Sequence, residues 1–293
     1  MNTVPLAQSN IIKMDAAALT DRGQRRKLNE DAVFYHIEQT EAGQNLGLYI
    51  VCDGLGGHQS GELASHLAIE TLSEELTNVL TALKLLTNNT YPLGQYIKTA
   101  INNANQAIYS YALTHPYRSG NMGTTVTLVL IYNDLAYLGN VGDSRTYLWR
   151  EGQLKQLTRD HSVAAELAAR GEIDESEIAG HPQSNILLRA LGTQKYIDVD
   201  LFEQKIKPGD KLLLCSDGLW QAFPNVKDLA EWFNPTNTPT HLCRYLVAEA
   251  NKRHGRDNIS AVVVDIKSVN QSKAAEMYRR VLPTTYQKRT VAS

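Results

Sequence analysis

The chain of 293 residues carries 29 Lys and Arg against 31 Asp and Glu, with 43% apolar and 20% charged residues. Its charge is unevenly placed: residues 268–293 hold five basic side chains and one acidic, leaving 24 basic and 30 acidic in the first 267. An acidic body argues against a general nucleic-acid clamp, which spreads positive charge over its folded surface, and no apolar run approaches the ~20 residues of an integral membrane segment. A chain of this length buries roughly three quarters of its unfolded surface, so a full core needs no covalent staples. The opening MNTVPLAQSNIIKMD lacks the charged-then-apolar order of a signal peptide. Cys52, Cys215 and Cys243 are odd in number and widely spaced, and read as reduced thiols in a cytoplasmic protein.

In chain order, DAVFYHIE (31–38) and NLGLYIVCD (45–53) read as strands joined by a polar turn containing Gly43. From Gly61 the period becomes helical, with Leu63, Leu67, Leu72, Leu76, Val79 and Leu80 on one stripe. A second helix carries Ile97, Ile101, Ala104, Ile108 and Tyr111 on one face. Three strand-like segments follow at 124–132, 134–142 and 144–151, and Asn133-Asp134 is short enough for a tight hairpin. Residues 158–195 read as short helices in a polar excursion punctuated by Gly and Pro. Strands return at 198–206 and 211–216 around a Pro-Gly-Asp turn, then two helices near 225–233 and 239–253, then a last strand at 259–266. This order does not alternate strand and helix, so it disfavours a parallel doubly wound sheet and favours one domain of antiparallel sheets covered by helix pairs.

The residues suited to chemistry stand where strands stop: Glu30 and Asp31 before the first long strand, Asp53 and Asp217 after apolar runs, Asp143 between two strands, and Asp257 before the last. A carboxylate beside a buried strand is costly unless it is paired, hydrogen-bonded or bound to a cation. For a lone Asp-Gly the turn is the better reading, but five strand-end places, two of them opening Asp-Gly after apolar strands, are harder to read that way.

The segments TDRGQRRKLNEDA (20–32), VCDGLGGHQSGELAS (51–65), GTTVTLVL (123–130), VGDSR (141–145), LLLCSDGLW (212–220) and RDNISAVVV (256–264) occur in that order. The series closely resembles the motifs of the metal-dependent protein phosphatases, the protein phosphatase 2C type, in their compact bacterial branch. The resemblance implies an α+β fold, a four-layer α-β-β-α sandwich of two antiparallel sheets flanked by helix pairs. It places the phosphatase domain at 18–267, with an extension at 1–17, a flap at about 158–190 that chooses substrates, and a basic tail at 268–293.

What the resemblance implies for the site is carried over residue by residue. Asp53 maps to the carboxylate bridging two Mn²⁺ or Mg²⁺ ions and Gly54 to a backbone carbonyl ligand; Asp217 and Asp257 map to the first metal, and Glu30 and Asp31 to the second. Asp143, with Asp217, maps to a weaker third ion, the alternative being a turn residue that binds backbone amides. Arg26 maps to the phosphate-gripping arginine, with Arg25 its adjacent rival. Many eukaryotic members carry a proposed acid, a His, directly after the Asp-Gly; here that position is Leu55, and the acid is His58, a metal-bound water or solvent. His58 is alternatively a residue that orients a ligand, while His161 and His181 are not read as ligands. The implied reaction is hydrolysis of phosphoserine and phosphothreonine monoesters by direct attack of a metal-bridging hydroxide. The implied partners are phosphorylated proteins made by a cognate Ser/Thr kinase, with the enzyme a monomer. The rival reading is a catalytically weak, metal-stabilised module that binds phosphoproteins. A nucleotide-binding loop at DGLGGH is weaker still, because it lacks the lysine and spacing of a P-loop.

Overall fold

The computed structural model describes residues 11–40, 45–56, 59–84, 91–116, 121–253 and 255–269; the predicted Gly43 turn, His58, the first ten residues and the tail from 270 onward lie outside the described residues. The strands form two antiparallel sheets. One has the order β1 (Ile11–Asp21), β11 (Ile259–Val269), β10 (Lys211–Cys215), β7 (Arg145–Arg150) and β8 (Gln153–Gln156). The other runs β2 (Asp31–Gln39), β3 (Asn45–Leu55), β5 (Val126–Tyr132), β6 (Leu135–Val141) and β9 (Asp200–Lys205), with β4 (Gly123–Thr124) paired to the end of β3.

Successive side chains of a strand point to opposite faces, and here the two faces meet two different cores. In β3, Leu46, Leu48, Ile50 and Cys52 pack outward under the helices, while Tyr49 and Val51 pack between the sheets. In β10 and β11, Leu213, Cys215, Ala261 and Val263 face outward, and Leu212, Leu214, Val262 and Val264 face inward. This double burial explains why these strands read as unbroken apolar runs rather than as alternating ones. Three apolar layers separate four layers of structure, the sandwich that the motif series implies.

Helices α1 (Gln59–Lys84) and α2 (Leu93–Thr114) cover the second sheet. The buried line of α1 runs Ala64, Ala68, Leu72, Leu76 and Leu80, while Leu63, Leu67 and Val79 flank it partly buried. The stripe predicted from leucines is therefore turned toward two alanines, whose small side chains let the helix approach the sheet closely. The first sheet is covered by α6 (Pro239–Arg253) with the short α4 (Asp217–Trp220) and α5 (Val226–Ala230), so its cover is one long helix and two short ones rather than a matched pair. The excursion holds α3 (Val163–Ala169) and a 3-10 turn at Glu175–Gly180.

Two strands have no counterpart in the sequence expectations. Residues 11–17, assigned to an extension, form most of β1 and pair rung by rung with β11, from Ile11 with Val269 to Asp21 with Ile259. Ile12, Met14, Ala16 and Ala18 face the inter-sheet core, while Ala17 and Leu19 face α6. The alternation is real, but three of these residues are alanines, which carry little strand propensity. The other is β8, a four-residue edge strand with half-exposed or exposed side chains. The Asn133-Asp134 hairpin forms as expected: Tyr132 pairs with Leu135, and Asn133 takes φ 56°.

The excursion is fastened to the sandwich by a buried ion pair. Arg145 donates from Nε to Asp160 Oδ1 (2.9 Å) and from Nη2 to Oδ2 (2.7 Å), and its guanidinium stacks 3.5 Å from the Trp220 ring centre. Breaking a buried pair leaves an uncompensated charge. Asp160→Ala is expected to lower stability by about 3–5 kcal/mol, measured by urea denaturation; a loss within error of zero would contradict this account.

Candidate active site

The two sheets bring every predicted carboxylate to one end of the sandwich. Asp31 opens β2 and is the register partner of Asp53 in β3. Asp217 follows β10 as the first residue of α4, and Asp257 precedes β11. Asp143 lies in the Gly142–Ser144 crossover from β6 in one sheet to β7 in the other. These are the strand ends at which ladder bonding stops and side chains are free to turn toward a common centre.

Local packing fixes each group. Ser216 Oγ donates to Asp31 Oδ2 (2.7 Å) and accepts from Ser260 N (3.0 Å), tying β10, β11 and β2 together. Thr125 Oγ1 accepts from Asp53 N (3.0 Å), and Thr124 Oγ1 donates to Asp53 O (2.9 Å). Thr125 also meets Ser144 Oγ at 2.7 Å, linking the Asp53 strand to the Asp143 crossover. Trp220 Nε1 donates to Asp143 O (3.0 Å), and Gln221 Nε2 donates to Asp217 Oδ2 (3.0 Å).

Asn258, almost fully buried, acts as a hub: its Oδ1 accepts from Glu30 N (2.8 Å), and its Nδ2 donates to Arg22 O (2.8 Å) and Leu28 O (2.9 Å). The loop carrying Arg26 is thereby stapled to the turn carrying Asp257. Gly23, with φ 75°, lies against Asp257 O so closely that a Cβ would overlap it. Arg26 Nη2 then reaches Asp257 Oδ2 at 2.6 Å, and its Nη1 lies 3.6 Å from Glu30 Oε2. Its side chain is 45% exposed, open to solvent beside the carboxylates. Gly54 is wedged between two backbones: its N donates to Glu30 O, and a Cβ would fall on Gly61 O and 2.5 Å from Glu30 O.

Like charges gathered here resist ionisation. Burial, then Asp31, Asp217, Asp143 and Asp257, pushes Asp53 well above the usual carboxylate range. Burial raises Asp31 to about 6 despite hydrogen bonds from Ser260 and Ser216. Burial, then Asp257 and Asp31, raises Asp217 to about 7. Asp143 is pushed well up by burial, Asp217 and Asp160, against the opposite pull of Arg145. Asp53 and Asp217 keep a small exposed face, yet protein surrounds their carboxyls on nearly all other sides.

Asp31 Oδ1 is buried with no hydrogen-bond partner among the described residues, and Asp53 and Asp257 stand near enough to act on the same carboxyl. Among the described residues no three of these groups stand in ligating geometry about one point; the structure displays their proximity and mutual repulsion. The donors are all oxygens, the set preferred by hard divalent cations. A positive ion would relieve the repulsion, so the residues present fit Mn²⁺ or Mg²⁺.

Sequence reasoning passed over the groups that hold these carboxylates in place. Ser216 and Asn258 lie inside the quoted motifs LLLCSDGLW and RDNISAVVV, directly beside Asp217 and Asp257, and that adjacency was their only signal. The sequence does not mark His161 as a ligand, and the structure gives it a different task. Its Nδ1 accepts from Gly142 N (3.1 Å), its Nε2 bonds Asp200 Oδ2 (3.2 Å), and its backbone N donates to Gly142 O (2.9 Å). It therefore pins the start of the excursion to the Asp143 crossover. Cys52, Cys215 and Cys243 are free and buried, and burial pushes each thiol upward, Cys243 to about 12.

A two-sheet sandwich ending in a cluster of oxygen donors, with an arginine at its rim, defines a metal-dependent hydrolase of phosphate esters. Comparison with known proteins sharpens that class. The family model described as protein phosphatase 2C matches residues 20–244. The serine/threonine phosphatase stp of Listeria monocytogenes is 37% identical over 257 residues, covering 86% of this chain and 96% of that protein. Among solved structures, the Mycobacterium tuberculosis serine/threonine phosphatase PstP/Ppp superposes with a TM-score of 0.73 at 30% identity, covering 87% of this chain and 99% of that one. The catalytic domain of PstP in complex with two manganese ions gives the same TM-score at 29% identity and the same coverage of both chains. The chain belongs to the protein phosphatase 2C family of metal-dependent phosphoprotein phosphatases, enzymes that use Mn²⁺ or Mg²⁺.

Proposed function

We propose that the carboxylate cluster is the metal site of a phosphatase that hydrolyses phosphoserine and phosphothreonine monoesters in proteins. The observation that carries this reading is the gathering of Asp31, Asp53, Asp143 and Asp217, two of them buried and two partly so, whose carboxyls are all raised by burial and by neighbouring acids. Asp53 and the Gly54 carbonyl, with Glu30 and Asp31 on one side and Asp217 and Asp257 on the other, would hold two ions, and Asp143 with Asp217 a third. Ions bound there supply an activated water for direct attack at phosphorus and neutralise charge on the phosphate.

The chain's own side chains do the remaining work. Arg26, released from Asp257, grips two phosphate oxygens and stabilises the charge that grows on them as the ester bond breaks. The departing Ser or Thr oxygen takes a proton from His58 or from water. Arg26→Ala is expected to lower kcat/KM for p-nitrophenyl phosphate by about 10²-fold, with most of the loss in KM if the residue chiefly binds ground-state phosphate. Activity at the wild-type level would remove Arg26 from the site and reopen the case for Arg25. The wider reading has the enzyme act as a cytoplasmic monomer on the products of a Ser/Thr kinase. Its three buried thiols suit a reducing compartment, and among the described residues no helix is long and apolar enough to cross a membrane. The rival, a binding module without turnover, predicts Mn²⁺-dependent phosphoprotein binding and no phosphate release; a malachite-green assay on a phosphothreonine peptide separates the two.

A further inference from the structure

A largely apolar groove of about 520 Å³ opens at the end of β3, lined by Leu55, Ile186, Leu187, Leu188 and Ala190, with the neutral polar side chains of Asn185, Thr193 and Gln194 among them. Leu55 is the last residue of β3 and pairs with Gly123, two residues on from Asp53, which in a strand is roughly 7 Å. One wall is the extended segment 186–188 at the end of the excursion. There Val163 N donates to Ile186 O (2.9 Å) and Leu188 N donates to His161 O (2.8 Å), with Ser162 and Leu187 forming the bridge between them.

The pairing fixes which way the side chains point. In an extended segment alternate residues share a face, so Ile186 and Leu188 lie together, opposite Leu187. They are 49% and 48% exposed. Two large aliphatic side chains held in place by backbone bonds, yet left half in water, mark a surface that another apolar group covers. Among the described lining residues Arg189 alone is ionisable, and it donates to Asp200 Oδ1 (2.8 Å), which compensates its charge. A neutral apolar occupant matches this lining, and an acidic or basic one does not.

We propose that this groove is a specificity subsite that takes a bulky aliphatic or aromatic side chain of the substrate, within two residues of the phosphorylated Ser or Thr. The proposal rests on the phosphatase reading and names the substrate class for it: phosphoproteins with an apolar flank, rather than the acidic or basic flanks that many kinases favour. The short path from Leu55 to Asp53 matches one to two residues of extended peptide, so phosphate at the carboxylate end and an apolar side chain in the groove are engaged together.

The test compares phosphothreonine peptides that differ at one residue, Leu against Ser, placed two positions before or two positions after the phosphothreonine. The full chain with Mn²⁺ is expected to favour Leu on one of the two sides by about tenfold in kcat/KM. In Ile186→Ser/Leu188→Ser that ratio is expected to fall to near one, and Leu188→Glu is expected to favour a Lys-flanked peptide over its Leu counterpart. The ratio is read only in preparations that hydrolyse p-nitrophenyl phosphate, so it is independent of how much active enzyme each contains. A wild-type ratio near one on both sides, or an unchanged ratio in the double variant, overturns the subsite while leaving the phosphatase reading intact. Failure of the wild type to hydrolyse p-nitrophenyl phosphate overturns the phosphatase reading itself, and the subsite with it.

Discussion

Asp53→Asn is expected to abolish Mn²⁺-dependent hydrolysis of p-nitrophenyl phosphate, with kcat falling by about 10³-fold or more, which is roughly 4 kcal/mol of transition-state stabilisation. Asp53 is the residue on which the others converge: Asp31, Asp217, Asp143 and Asp257 all push its carboxyl toward the neutral form. An amide of the same shape keeps the Thr124 and Thr125 contacts, because those run through the Asp53 backbone. It removes one ionisable carboxyl from a cluster whose members hold one another toward the neutral form. The metal-free variant is therefore expected to melt at or above the temperature of the metal-free wild type while being inactive. Loss of activity with a lower melting temperature would mean that Asp53 matters for folding, and unchanged turnover would remove it from the site.

The second large effect is a stability profile that runs against the usual direction for carboxylates. Asp31 at about 6 and Asp217 at about 7, with Asp53 and Asp143 also raised, all have folded values above their unfolded ones. Between the unfolded value near 4 and these folded values, the native chain binds more protons than the unfolded chain, so stability falls as pH rises. The metal-free protein is expected to be more stable at pH 5.5 than at pH 7.5, by on the order of a few kcal/mol. His161 opposes this, since burial lowers its value and costs stability as pH falls, but it is one group against four. Mn²⁺ at about 100 times its dissociation constant should restore about 2.7 kcal/mol at pH 7.5 and raise Tm by roughly 5–10 °C. The gain should shrink at pH 5.5, where protons compete for the same oxygens. Denaturation in EDTA at the two pH values, with and without added Mn²⁺, reads both effects. Higher metal-free stability at pH 7.5 than at pH 5.5 would contradict the proposed clustering.

Much of this arrangement was legible in the chain, and what was not has physical causes. The apolar runs 45–52, 211–215 and 259–266 announce strands because each is buried on two faces. The strand-end acids stand out because carboxylates beside such runs need a reason. β1 escaped notice because Ala16, Ala17 and Ala18 fill its middle, and alanine signals burial only after its partners are known. β8 is a four-residue edge strand with too little burial to leave a pattern. Ser216 and Asn258 were overlooked for a different reason. Their importance lies in bonds to residues 185 and 228 positions away, Asp31 and Glu30, and periodicity reports only on near neighbours. The groove was invisible for a related reason: Leu55 and Ile186 become neighbours only through the tertiary fold.

The pairing of β1 with β11 has a consequence for how the enzyme is made. Ile11 and Val269 are register partners, and β11 lies between β1 and β10 in its sheet. During synthesis, the first strand has nothing to pair with until the last one leaves the ribosome. Asp257 and the Asn258 hub arrive on that same late segment. Closing so long a loop comes late in folding, and the proposed ligand set is complete only when it closes. With that ligand set, a growing chain is expected to stay catalytically silent until β11 joins the sheet.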